Sequence, residues 1–380
     1  MKFVIAPDKY KGSLNGIEFC EAVKKGILKV FPNASIINKP LADGGDGTLE
    51  VIKHYLKATV IEVIVKNPLF TPIKAKYLYS ESKKTAFVEM SEASGYKLLE
   101  KKDMNCRLTT SLGTGELILD ALNRGAEQII LGIGGSATND GGMGIAVALG
   151  YTFLDDNGTV LFPIGDNLGK VKTIDRSSID KRLENVSVKV ACDVTNPFYG
   201  SQGAAHIYAP QKGASFEDVL FLDDGLKHFS KIIFNEFGVD VQEITGAGAA
   251  GGVGGGAVVF LNAVLSSGID LVKEIADFET AIAQANWIIT GEGKLDAQTF
   301  SGKTISGVVE SAKRKAIPVA AFCGAVELSC EEQERMGITY ASSILKGVGS
   351  FDEAVKYSYE NLEYLAFNFA RILKRDITLV

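Results

Sequence analysis

Histidine is scarce in this chain: 380 residues include only His54, His206 and His228, and none of them stands in a glycine-rich or acidic loop. Histidine-activated nucleophiles and zinc hydrolysis therefore have no visible apparatus. Cysteine offers no framework either. Cys20, Cys106, Cys192, Cys323 and Cys330 are odd in number and far apart, without metal or disulfide spacing, which fits a reducing cytoplasm. There is no basic stripe: Lys and Arg are dispersed and the formal net charge is -6, so nucleic acid is not an expected partner. Long apolar runs are missing as well. The apolar start stops at Pro7-Asp8, too short for a signal-peptide core. The stretch 246–265 is broken by Gly251, Gly252, Gly254, Gly255 and Gly256, and reads as a glycine loop feeding a buried helix rather than a membrane span. No membrane partner and a cytoplasmic location are the expectation.

What remains is an ordinary globular composition, 46% hydrophobic and 23% charged, with no reason to expect disorder. Its length exceeds one hydrophobic core, so two domains are expected. The start reads as a buried strand over 2–6, then a helix with Ile17, Cys20, Val23, Ile27 and Phe31 at three- and four-residue spacing, opened by the capping pair Asn15 and Glu18. A strand over 35–38 and a helix over 48–56 complete a β-α-β-α pattern, the mark of a parallel sheet. From Val60 the pattern changes. Runs at 60–65, 73–79 and 85–90, separated by Asn67-Pro68, Thr71-Pro72 and a charged turn, predict an antiparallel meander. Buried strands return at 287–290, 318–323 and 338–343, alternating with helices over 301–316 and 351–374, the latter capped by Ser350 and Glu353. The fold class expected is two-domain α/β. A discontinuous, Rossmann-like parallel-sheet domain takes 1–60 and 280–380, and a mixed α/β domain over 61–279 is inserted into it.

Forty-one glycines cluster just beyond the predicted strands, where open α/β sheets place their ligands. In Ala6-Pro7-Asp8-Lys9-Tyr10-Lys11-Gly12-Ser13, Asp8 suits a metal or a hydroxyl, and Lys9 and Lys11 suit anionic charge; a solvated loop is the plainer alternative. Asp43-Gly44-Gly45-Asp46-Gly47-Thr48 puts two carboxylates three residues apart, a hard-oxygen set for Mg²⁺, or else a tight turn whose Asp46 caps the next helix. Gly134-Gly135-Ser136-Ala137-Thr138-Asn139-Asp140-Gly141-Gly142 follows a strand and precedes a helix, an arrangement that exposes backbone amides to a phosphate or carboxylate. Asp193 ends an apolar strand and is a candidate base, while Asn196-Pro197 beside it explains part of the motif as a turn. The last loop, Thr290-Gly291-Glu292-Gly293-Lys294-Leu295-Asp296, leads to Ser301-Gly302-Lys303-Thr304. Here Ala297 replaces the first glycine of a phosphate-binding loop, although Lys303 can still meet an anion.

Two glycine spacings, Gly246-Ala247-Gly248-Ala249-Ala250-Gly251 and Gly132-x-Gly134-x-x-Ala137, imitate a dinucleotide fingerprint, but the first lacks a preceding strand and the second matches loosely. Carboxylates, lysines and glycine loops are the toolkit of phosphoryl transfer, in which catalysis is positioning and charge neutralisation.

These five segments, extended by Pro40-Leu41-Ala42 before Asp43 and by Cys192 before Asp193, resemble the type I bacterial glycerate kinases in the family's own order and over essentially the whole chain. The resemblance implies ATP-dependent phosphorylation of D-glycerate, most often at the 2-hydroxyl, in a two-domain α/β architecture with an inserted middle domain. The domains would close over glycerate and Mg²⁺-ATP. Our assignment of roles makes Asp193 the first choice for the base and Asp296 the second, with Lys9 and Lys11 neutralising charge and Asp43 and Asp46 holding Mg²⁺. Asp8, Ser13, Gly134, Gly135, Ser136, Thr138, Asn139, Asp140, Asn196, Glu292, Lys294 and Lys303 bind substrate or nucleotide. Glycerate and ATP are the expected partners, and a homodimer is compatible with the sequence. The rival readings are a nicotinamide-dependent hydroxy-acid dehydrogenase, resting on the glycine spacings, and a non-catalytic hydroxy-acid sensor.

Overall fold

Alternation of apolar side chains along five short strands gives the first sheet two buried faces. In this computed structural model, which describes residues 1–10, 12–43, 48–300, 304–347 and 349–377, the strands lie in the order Tyr340–Ser343, Val319–Cys323, Trp287–Thr290, Lys2–Ile5, Ser35–Asn38. All of their pairings are parallel. Phe3, Ile5, Ile289 and Phe322 face one side, where they meet Leu362, Ala366 and Phe369 of the helix Ser358–Ile377 and Phe19 and Val23 of the helix Gly16–Leu28. Val4, Ile288 and Ala321 face the other, against Ile305 and Val308 of the helix Thr304–Arg314 and Val272 of the helix Gly268–Ile275. Near-continuous hydrophobic strands are what a doubly covered parallel sheet demands.

The second sheet has six strands, in the order Val264–Ser266, Ser187–Ala191, Gln128–Gly132, Thr85–Glu89, Pro72–Ser80, Thr59–Lys66. Its first four run parallel. The other two complete an antiparallel meander, paired from Thr59 with Tyr79 to Lys66 with Pro72. One large core serves this sheet, built from Ile129, Leu131, Val188 and Val190 on the strands and from Leu117 and Ile118 of the helix Leu112–Asn123. Tyr151, Phe153, Phe229 and Phe260 pack edge to face or tilted within it, with ring centroids 5.2 to 6.2 Å apart. The chain divides into two compact units, Met1–Tyr55 with Ser267–Val380, and Leu56–Ser266. The fold is mixed α/β with parallel sheets.

Two details depart from the periodicity. Ile17 is half exposed, and the buried stripe of its helix runs instead through Phe19, Cys20, Val23 and Ile27; Phe31 lies beyond the helix end. The helix expected over 351–374 is two, Phe351–Lys356 and Ser358–Ile377. Both expected capping boxes are present, Asn15 with Glu18 and Ser350 with Glu353. No helix among the described residues is long and apolar enough to cross a membrane.

Candidate functional site

Because the strands are parallel, the loops after Ile5, Asn38, Thr290 and Cys323 leave the first sheet at one end, where an open α/β sheet binds its ligands. Asp8 is held there from three sides. Its amide donates to Gly291 O at 2.9 Å, the Lys9 amide donates to its Oδ1 at 2.7 Å, and Thr304 Oγ1 donates to its Oδ2 at 2.5 Å. Burial pushes the Asp8 carboxyl above its ordinary range; Thr304 and the Lys9 amide pull it back, and the negative charge of neighbouring Asp43 adds to the rise. Two carboxylates from adjacent strand ends thus lie near enough for the charge of Asp43 to be felt at Asp8.

The 290–299 loop is braced from within. Thr290 Oγ1 donates to Ala6 O at 2.7 Å, tying it to the first strand. Thr299 Oγ1 donates to Glu292 Oε1 at 2.6 Å, and the Asp296 amide donates to Thr299 Oγ1 at 3.2 Å. Glu292 is buried and Asp296 half-buried. Lys294 reaches Glu327 at 2.9 Å and Asp296 at 3.6 Å, and those carboxylates hold its ammonium above the ordinary lysine range. Ser13 Oγ donates to Ser358 Oγ at 2.6 Å. Lys11, Asp46 and Lys303, three of the residues expected in the site, lie outside the described residues.

In the second unit the loop after Gln128–Gly132 is exposed at Gly134 and Gly135, then turns inward: Ser136, Thr138, Asn139 and Asp140 are buried. The Asp140 carboxylate is committed to the protein itself. It accepts from the Ser111 amide and Ser111 Oγ, both at 2.7 Å, and from the Gly142 and Gly144 amides, both at 3.2 Å. Gly142 is the N-cap of the helix Met143–Ala148 and Gly144 lies in its first turn, so the carboxylate ties that helix start to Ser111; burial raises its pKa while these hydrogen bonds oppose the rise. Asn139 differs. Neither its amide nitrogen nor its oxygen has a protein partner, and Thr138 Oγ1 has none, so three buried polar atoms await a ligand or water.

Sequence reasoning missed Lys212. Its ammonium is fully enclosed and donates to Ser136 Oγ at 2.8 Å and to Thr138 O at 2.7 Å. Desolvation pulls its pKa down to about 8, against the attraction of Asp140. An enclosed ammonium bonded to the glycine loop at Ser136 and Thr138, one residue from Asn139, with its pKa drawn down by burial, is the kind of group that clusters at functional sites. Nothing local to Pro210-Gln211-Lys212-Gly213 signals this; the contact spans 76 residues.

Asp193 stands exposed just past the neighbouring strand Ser187–Ala191, and the Cys192 amide donates to Ser266 O at 2.9 Å. Asn196 has a scaffolding role as well: its Nδ2 donates to Gln202 O at 2.8 Å and its Oδ1 accepts from Tyr208 at 2.6 Å. Of the 246–256 glycines, Gly248, Gly251, Gly254 and Gly256 pack closely on other backbone, while Gly246, Gly252 and Gly255 pack first on the side chains of Cys192 and Phe198. Gly251 has φ +74°, and a Cβ there would stand 2.1 Å from Thr138 O. Its spacing thus serves close packing against the Thr138–Asn139 turn, which leaves the dinucleotide resemblance without a function. Of the histidines, His54 and His206 lie on helices, and His228 bonds Val171 O through Nε2 at 2.7 Å.

Carboxylates and lysines gathered on glycine loops at strand ends, with no histidine among them, define an α/β phosphotransferase. The family model described as the glycerate kinase family matches residues 3–374. A glycerate kinase from Halalkalibacterium halodurans is 44% identical over 370 residues, covering 97% of either chain, and a glycerate 2-kinase from Escherichia coli K12 is 42% identical over 98% of each. A crystal structure described as that of glycerate kinase 2 from Salmonella typhimurium LT2 superposes with a TM-score of 0.87 at 39% identity, covering 100% of this chain and 99% of that one. The chain belongs to the glycerate kinase family: it is a kinase, with ATP as the phosphate donor and glycerate as the acceptor.

Proposed function

We propose that this kinase transfers the γ-phosphoryl group of ATP to the 2-hydroxyl of D-glycerate, in the cytoplasm, giving 2-phosphoglycerate and ADP. The choice of hydroxyl is supported by the glycerate 2-kinase relative, whose identity of 42% extends over nearly the whole chain. Mg²⁺ is assigned to the first unit. The observation that carries this is the Asp8 and Asp43 pair, two hard carboxylates whose mutual repulsion a divalent cation would relieve. No cluster of three or more candidate ligands exists among the described residues, yet Mg²⁺ typically needs only one or two carboxylates, with phosphate and water completing its shell. Asp46 is the further acid assigned to it. Bound there, the cation would neutralise charge on the transferring phosphoryl group.

The chain's own groups supply the rest. Asp193 orients the attacking hydroxyl and takes its proton, Asp296 standing second for that role. Lys9 and Lys11 balance negative charge on the donor, and Ser13, Glu292, Lys294 and Lys303 belong to the nucleotide side. Gly134, Gly135, Ser136, Thr138, Asn139 and Asn196 line the acceptor side. Asp140 acts by holding that loop, because its four acceptor contacts leave its oxygens engaged. Lys212 joins the acceptor side through Ser136 and Thr138.

A coupled ADP-release assay over glycerate, glycolate, lactate and tartronate, with the product located by ³¹P and ¹³C NMR, tests this reading. ADP formation with glycerate and phosphorus coupling at C2 are expected. Coupling at C3 overturns the choice of hydroxyl, and no ADP from any of the four acids overturns the activity.

A further inference from the structure

The first unit contains a cavity of about 300 Å³ in which the assigned residues take up only part of the wall. Tyr10, Ile344, Leu345, Phe351, Ala354 and Val355 make it predominantly apolar, and Ser13, Ser358, Gly293 and Lys294 are among the other residues that line it. It opens where the strands Val319–Cys323 and Tyr340–Ser343 end, the side on which the Asp8 and 290–299 loops also leave the sheet. Tyr10 is fixed by its hydroxyl, which donates to Phe322 O at 2.7 Å, and by its edge contact with Phe19. At the mouth, Leu345 is 48% and Phe351 78% exposed, two large apolar side chains in water beside an apolar hollow.

We propose that this cavity receives the adenine base of ATP, with the triphosphate leaving past Gly293 and Lys294. The inference rests on the kinase reading above and extends it to the nucleotide subsite. Of the two substrates, glycerate is the wrong guest. It is a small hydroxylated anion, and a carboxylate taken into a carbon-lined wall loses hydration that nothing there replaces. Among the described residues that line it the one ammonium, Lys294, already faces Glu327 and Asp296. A flat aromatic base gains from the same wall, by apolar burial and by stacking on an aromatic ring such as Phe351. The volume is at the lower end of the about 300–1,000 Å³ usual for ligand pockets, enough for a base with its sugar projecting. The Ser13 and Ser358 hydroxyls, already bonded to each other, supply the polar edge that a base requires.

Two variants test it, Ala354→Phe to fill the cavity and Phe351→Ala to remove the exposed ring. Both should raise KM for ATP on the order of tenfold. KM for glycerate and inhibition by inorganic tripolyphosphate, which has charge but no base, should stay within about twofold of wild type, which also certifies that the variants fold. An unchanged KM for ATP in both variants overturns the proposal, as does a loss of tripolyphosphate inhibition in step with ATP. If the wild type releases no ADP with glycerate, the kinase reading has failed and the cavity is judged separately by saturation-transfer NMR with adenosine. Transfer to wild type that disappears in Ala354→Phe supports the site, and absence of transfer to wild type rejects it.

Discussion

At the scale of single residues, the two most consequential groups in the second unit behave in opposite ways. Asp193 is exposed at a strand end, free of the burial that would make its removal a folding problem. Asp193→Asn should lower kcat by about 10²–10⁴-fold while leaving KM for glycerate little changed, measured by ADP release under saturating ATP; near-normal turnover would remove Asp193 from the base role and turn attention to Asp296. Lys212 is enclosed, and its charge makes stability depend on pH. Unfolded, it keeps its proton up to the ordinary value of 10.5; folded, only to about 8. Between those values the unfolded chain binds more protons, so this residue's contribution to stability improves as pH rises through that window. Below pH 8 both states are charged and the cost of burying the ammonium is felt in full. Relative to Lys212→Met, wild-type stability should therefore gain about 3 kcal/mol between pH 7.5 and 10.5, read from urea unfolding of both proteins at each pH. A difference that stays flat would show that burial does not depress the Lys212 pKa and that the enclosed ammonium keeps its proton throughout the window. Lys212→Met should also lower kcat/KM for glycerate, which a purely structural lysine would not do.

Elements were legible where their signal is local. The capping boxes at Asn15 and Ser350, the meander from residue 59 to 89 and the parallel strands of the first sheet all follow from spacing within a few residues. The break at Tyr357 was hidden, because a good apolar stripe continues on both sides of it. The candidate site can be read from sequence as loops, but its contacts cannot. Asp140 meets Ser111 across 29 residues and Lys212 meets Ser136 across 76, and nothing in either local segment encodes a distant partner. The glycines from residue 246 are the clearest example: their spacing imitates a nucleotide fingerprint, while they stand where a side chain would strike neighbouring backbone or the Phe198 ring. Gly251→Ala should cost on the order of 3 kcal/mol, from left-handed strain together with the clash at Thr138 O. Gly238 is the control. It ends the helix Phe216–Phe237 at φ +69° with open space around its Cβ position, so Gly238→Ala should cost only about 1 kcal/mol. Equal shifts in the urea midpoints would mean that the close approach at Gly251 has no energetic weight.

For the molecule as a whole, the single tryptophan is a reporter with a fixed address. Trp287 pairs with Phe3 in the first sheet, and its ring meets Phe369 edge on at 5.0 Å. Its fluorescence therefore follows loss of packing in the first unit, the same unit that carries Asp8, Asp43 and the proposed base cavity. A ligand that binds only the folded form raises stability in proportion to the logarithm of its saturation, by about 2.7 kcal/mol at a hundred times its Kd. Mg²⁺-ATP should move the tryptophan-detected urea midpoint upward by that order. ATP with EDTA should move it less, because the triphosphate then sits beside Asp8 and Asp43 with no cation to screen their like charges. The same chelator should abolish ADP release from glycerate, and Mg²⁺ should restore it. If ATP shifts the midpoint equally with and without EDTA, the carboxylate pair does not hold the cation. If no nucleotide shifts it at all, ATP is not bound by the unit in which Trp287 resides, and the nucleotide roles given to Ser13, Glu292 and Lys294 fall with it.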